Sequence, residues 1–170
     1  ASEWLDKMVE AKITPDNISW NSVLNAWART GNEAEAAATL DRMIEAKATP
    51  DALSYSALIA ACSKVGDSKG ASTWLNQMLA VHLKPDKVAF TSVITSYARN
   101  GEVSAAATWL KKMSDADIEP DVIAYTALAN AHASVGNLYG VEEVFEQMGD
   151  AGVTPNIRTW TAAIVACGAS

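Results

Sequence analysis

Long apolar runs, paired cysteines and catalytic signatures are all missing from this 170-residue sequence. No apolar stretch approaches the roughly 20 residues that a membrane-spanning helix needs. No charged-then-apolar leader opens the chain; the sequence reads as a piece of a longer protein, whose missing N-terminus could have carried one. Cys62 and Cys167 are the only cysteines and stand 105 residues apart. His82 and His132 are the only histidines, and neither is spaced with cysteines or carboxylates as a metal ligand. A Gly-rich phosphate loop, a nucleophile motif and the deaminase pattern of His-x-Glu with Cys-x-x-Cys are absent too. The chain is therefore not read as an enzyme, and no metal or cofactor is expected.

Proline is scarce but ordered. Pro15, Pro50, Pro85, Pro120 and Pro155 are all the prolines there are, and each lies 35 residues from the next. Met8, Met43, Met78, Met113 and Met148 keep the same interval, as do Gly31, Gly66, Gly101 and Gly136. A fixed period of this length marks an array of one supersecondary unit, each unit packing on its neighbours. Three such periods separate the two cysteines, and with helical layers about 8–10 Å apart they lie far beyond disulfide reach. Both are expected to be small core residues.

Each unit carries two apolar-periodic runs. The first follows Pro-Asp and ends near the glycine; the second, such as EAEAAATLDRMIEAK at 33–47, leads to the next proline. Asp16, Asp51, Asp86, Asp121 and Asn156 stand where a helix N-cap belongs, and the glycine supplies the turn between antiparallel helices. Ala36, Ala71 and Ala106 are small enough for close helix approach, and Ala1 falls at the same register. Trp4, Trp74 and Trp109 share one position in the second helix and are expected in the core between repeats. His132 repeats the positions of Trp27, Cys62 and Tyr97, which makes it a helix-packing residue.

Proline followed by Asp or Asn at the end of every unit, and an aromatic followed by Asn, Ser or Thr near its start, resemble the pentatricopeptide repeat family. The related tetratricopeptide repeat has a period of about 34 and a Trp-Leu-Gly-Tyr pattern, and neither is seen here. The resemblance covers the whole chain: partial repeat 1–16, complete repeats 17–51, 52–86, 87–121 and 122–156, and partial repeat 157–170. It implies an all-α fold, a right-handed α-solenoid of 35-residue helix-turn-helix repeats. It further implies single-stranded RNA as partner, bound one base per repeat, for RNA processing, stability or translation in a mitochondrion or chloroplast. The competing expectation is a protein-binding scaffold, its face gripping a subunit of an organellar complex.

By the resemblance, the fifth and last residues of a repeat form its reading pair. The pairs are Asn21 with Asp51, Ser56 with Asp86, Thr91 with Asp121, and Thr126 with Asn156. Thr161 and Asp16 lack partners in this chain. An ionised Asp only accepts hydrogen bonds, which suits the ring N–H of guanine or uracil, whereas Asn can donate to the bare ring nitrogen of adenine or cytosine. In the family, Ser or Thr at the first position goes with purines and Asn with pyrimidines, so the implied readout is 5′-UGGA-3′. Ile18, Leu53, Val88 and Ile123 would pack on the bases; Arg158 departs from that series. Arg29, Lys64 and Arg99 would meet phosphates, and Ser134 breaks their series. Lys12, Lys47, His82 and Asp117 stand at a turn where family members often carry glycine, as Gly152 does.

Simpler readings compete. An Asp or Asn before a helix caps it with or without RNA, and Ser or Thr can bond back to the helix backbone. A net charge of −7 also runs against polyanion binding. Yet the first-helix windows hold Arg29, Lys64, Lys87, Arg99 and Arg158 and none of the 20 acids. One mildly positive face on an acidic body is the expected result.

Overall fold

The computed structural model describes the backbone of residues 2–169 and the side chains of 2–168. Ala1 and Ser170, the outermost residues of the two expected partial repeats, lie outside it. Among the described residues the regular structure is ten α-helices and no strand. The chain divides into two compact units, Ala1–Ala89 and Phe90–Ser170.

The first unit holds α1 Ser2–Glu10, α2 Asn17–Thr30, α3 Glu33–Glu45, α4 Ala52–Val65 and α5 Ser68–Ala80. Helices α2 and α3 form one hairpin, α4 and α5 the next, and α2 lies beside α4. The division falls within α6 Lys87–Arg99. The second unit continues with α7 Val103–Asp115, α8 Val122–Ser134, α9 Leu138–Asp150 and α10 Ile157–Ala169. There α8 and α9 pair as a hairpin, and α8 lies beside α10.

The caps follow the sequence. Asp16, Asp51, Asp86, Asp121 and Asn156 each accept a backbone N–H from the third residue beyond, closing the first turn of the helix. Gly31 ends α2 in the left-handed region at φ 75°, its N–H returned to the last carbonyls of the helix. Asn32, Asp67 and Asn137 then cap the second helices through Glu35, Gly70 and Gly140. Short turns of this kind hold the two helices antiparallel.

Met43, Met78, Met113 and Met148 are fully buried, as are Ala36, Ala71 and Ala106. Burying such a methionine contributes about 1.5–3 kcal/mol, and the alanines let the helices approach. His132 packs as expected: a Cβ at Gly140 would collide with its imidazole, so α8 and α9 meet here only because Gly140 has no side chain.

Two core expectations need correction. Trp109 is buried and Trp74 half-buried, each beside the aromatic of its own hairpin, Phe90 at 6.3 Å and Tyr55 at 6.5 Å between ring centroids. Trp4, on α1, is 72% exposed instead of buried. Cys62 is buried, but Cys167 is exposed on α10.

Candidate functional site

The spacing of an α-helix puts residues 18, 21, 25 and 29 on one side of α2, and the same register recurs in α4, α6 and α8. At the start of each stripe stands an exposed aliphatic side chain. Ile18, Leu53, Val88 and Ile123 are 76, 62, 66 and 57% exposed, unusual for residues of this type in helices that otherwise bury them. At the far end Arg29, Lys64 and Arg99 are exposed.

In the first unit Asn21 is buried and joined to Asp51. Its Nδ2 donates to Asp51 Oδ1 at 3.1 Å and Oδ2 at 3.2 Å. Its Oδ1 accepts from the Ser54 hydroxyl at 2.7 Å. Burial pushes the Asp51 carboxyl up, but the Ser54 N–H, the Asn21 amide and the Ser54 hydroxyl outweigh it and hold the group below its usual range. Ser56 and Asp86 share no hydrogen bond, and Asp86 instead caps α6 through the Ala89 N–H.

In the second unit the first-helix faces enclose a groove of about 530 Å³. Its walls include Thr95 and Arg99 of α6, then Ile123, Thr126, Asn130 and Ser134 of α8, then Asn156 and Arg158. Thr126 reaches Asn156 through a third residue: Thr126 Oγ1 lies 2.8 Å from Thr159 Oγ1, which lies 3.1 Å from Asn156 Oδ1. That oxygen also accepts the Arg158 and Thr159 N–H groups, while Asn156 Nδ2 meets no protein acceptor among the described residues. Two guanidinium groups and no carboxylate line the groove.

The remaining expected readers differ. Thr91 and Asp121 share no hydrogen bond; Thr91 Oγ1 is buried without a partner, and Asp121 caps α8. Thr161 is exposed and bonds back to the Ile157 carbonyl, the alternative open to any helical threonine.

Sequence reasoning missed Ser54 and Thr159, because the third residue of the repeats alternates among Ser, Ala and Thr and shows no period in chemistry. Thr95 and Asn130 were also missed, although each lies four residues beyond an expected reader and so on the same stripe. The fold further brings Glu33, Cys62 and Asp67 together, with potential ligand atoms within 4.8 Å of one another. Burial and the neighbouring Glu33 push the Cys62 thiol far up, so it stays protonated. Asp67 already caps α5.

The family model described as pentatricopeptide repeat domain matches residues 3–65, 49–100 and 108–170. A model described as PPR repeat matches residues 88–118. No curated protein matches the chain. The crystal structure of the pentatricopeptide repeat protein PPR10 from maize is similar at 24% identity and a TM-score of 0.86, over 95% of this chain and 23% of that one. A PPR10 structure in complex with an 18-nt psaJ RNA element matches with a TM-score of 0.77, over 95% of this chain and 24% of that one at 24% identity. The PPR domain of Arabidopsis thaliana protein-only RNase P 1, in complex with tRNA, matches at 14% identity and 0.82, over 96% and 86%. This chain thus spans under a quarter of the length of the maize protein. At these identities the likeness establishes the fold, an all-α helical-repeat solenoid.

Proposed function

Because the chain belongs to the pentatricopeptide repeat family, we propose that it binds single-stranded RNA, one base per repeat, with 5′-UGGA-3′ as its preferred core. One observation carries the reading: the groove of the second unit joins a reading pair, an exposed aliphatic and two cations, with no carboxylate among its lining residues. An unpaired base has an apolar face, a polar edge and a phosphate, and the groove offers a counterpart to each. Ile123 offers a surface for the base face, Thr126 and Asn156 offer hydrogen-bonding groups to its edge, and Arg99 and Arg158 attract the backbone. None of the 20 acids is among the residues that line this groove.

In the first unit, Asn21, Asp51 and Ile18 form the corresponding set. Two relatives of this fold carry RNA in their solved structures, the maize protein an 18-nt element and the Arabidopsis domain a tRNA, which supports RNA as the ligand. The reading extends, by family, to RNA processing, stability or translation in a mitochondrion or chloroplast.

Selection from a randomised RNA pool, followed by titration of the enriched oligonucleotides, tests the proposal. Enrichment of a UGGA core is the expected result. A pool that stays unenriched, together with equal binding of UGGA and its scrambled form, would overturn it in favour of a protein-binding scaffold.

A further inference from the structure

We propose that the third residue of each repeat positions the reading pair of the repeat before it, so that Ser54 and Thr159 set base discrimination through side chains that touch no base. The inference rests on the RNA-reading function above.

A hydroxyl has one proton and two lone pairs. Ser54 Oγ accepts the Asp51 N–H at 3.1 Å, and its nearest acceptor is Asn21 Oδ1 at 2.7 Å. Ser54 Oγ also lies 3.1 Å from Asp51 Oδ1, and the carboxylate and the hydroxyl together settle which way the Asn21 amide faces. Its oxygen turns to Ser54 and its NH2 to Asp51; the flipped amide would set a carbonyl against a carboxylate. Ser54 is fully buried, so water cannot take over its role.

Thr159 repeats the arrangement in the second unit. It is fully buried, accepts the Asn156 N–H at 3.2 Å, and lies within reach of both Thr126 Oγ1 and Asn156 Oδ1. Ser54 stands 33 residues after Asn21, and Thr159 stands 33 after Thr126. The same step from Thr91 arrives at Ala124, which has no hydroxyl, and Thr91 Oγ1 is the reader left buried without a partner. From Ser56 the step arrives at Ala89. Two pairs are thus held by a neighbouring hydroxyl and two are not.

The test titrates this chain by fluorescence anisotropy with four-base cores in identical flanks, comparing wild type with Ser54→Ala, Ser54→Thr and Ala124→Ser. Ser54→Ala is expected to lower the preference for UGGA over CGGA about three- to tenfold, and to leave the preference for UGGA over UGAA unchanged. Ser54→Thr should keep both preferences. Ala124→Ser should raise the preference for UGGA over UGAA by a similar factor, since it supplies the missing partner of Thr91. Equal weakening of all RNAs by Ser54→Ala would assign Ser54 to helix capping alone and overturn the inference, as would preferences that none of the variants moves. If Ser54→Ala does not fold, Ala124→Ser decides alone, because it adds one atom at the repeat position where Ser54 and Thr159 carry their hydroxyls. A wild-type chain that binds RNA without any preference, or binds none, sinks the base-reading function itself, a result distinguishable from the others before any variant is made.

Discussion

Asn21 and Asp51, thirty residues apart in sequence, meet through an amide that donates to both carboxylate oxygens, at 3.1 and 3.2 Å. The same carboxylate caps α4 through the Ser54 N–H at 3.0 Å. Capping and pairing are therefore not rival roles for Asp51. One oxygen closes the helix, and the other keeps lone pairs for a further donor.

Acid should weaken the fold in two steps. Burial lowers the His132 pKa, with Glu143 opposing it only in part. A base whose folded pKa is depressed is protonated more readily in the unfolded chain, so stability falls as pH drops below about 6.5. The Asp51 carboxyl is held low in the folded state, so its contribution is complete above about 3.9 and is lost as pH falls through the folded value. Urea midpoints measured from pH 7.5 to 5 should decline for wild type and stay flatter for His132→Gln. Identical slopes would assign the decline to other groups.

Four connections hold a non-glycine residue in the left-handed region: Lys12, Lys47 and His82 at φ 59° and Asp117 at φ 57°. Gly152 holds the same place at φ 65°. An L-residue there costs roughly 1–2 kcal/mol, and glycine returns roughly 0.5–1 kcal/mol of that through unfolded-state entropy. All four side chains are exposed, so little contact is lost. Lys47→Gly and His82→Gly should each stabilise the fold by about 0.5–1 kcal/mol, read as a rise in the thermal midpoint. A fall would mean that these side chains make contacts that offset the strain.

Salt should separate phosphate contacts from base contacts. If Arg29, Lys64 and Arg99 meet the backbone, each adds about −0.7 to the log–log slope of affinity against salt. Replacing all three with Gln should flatten the slope by about 2 and leave the base preference nearly unchanged. A slope that does not move would place the RNA path away from these residues.

Most of the fold is legible because its determinants repeat. Proline, methionine and glycine at intervals of 35 residues mark the hairpins, and the caps follow from local hydrogen bonding alone. The aromatic contacts are not legible in that way: a shared register for Trp4, Trp74 and Trp109 does not say which neighbour covers it. Trp4 and Cys167 show the same limit, since position in a repeat gives a face but not what packs on it. The hydroxyls of Ser54 and Thr159 belong to one repeat and act on another. Only the side-by-side packing of α2 with α4 and of α8 with α10 reveals them.

Asn156→Asp tests the reading pair most directly. Asn156 already caps α10 through Oδ1, which accepts the Arg158 and Thr159 N–H groups at 2.9 and 3.0 Å. Aspartate caps equally well, so stability should hardly change. What changes is the other end of the side chain. Nδ2, with no protein acceptor of its own, can donate to the bare ring nitrogen of adenine; an oxygen in its place can only accept. Facing adenine, it sets acceptor against acceptor, whereas guanine offers its ring N–H. The new charge is also attracted by the two guanidinium groups of the groove, Arg99 and Arg158, which should weaken binding of every RNA to a similar degree. Preference at the fourth base is a ratio and is insensitive to that common loss. It should turn from adenine to guanine by roughly 1–3 kcal/mol, the range of a base-edge contact. Titration of both proteins with UGGA and UGGG in identical flanks checks this. A folded variant that still ranks adenine first would remove Asn156 from base reading and leave it as a helix cap.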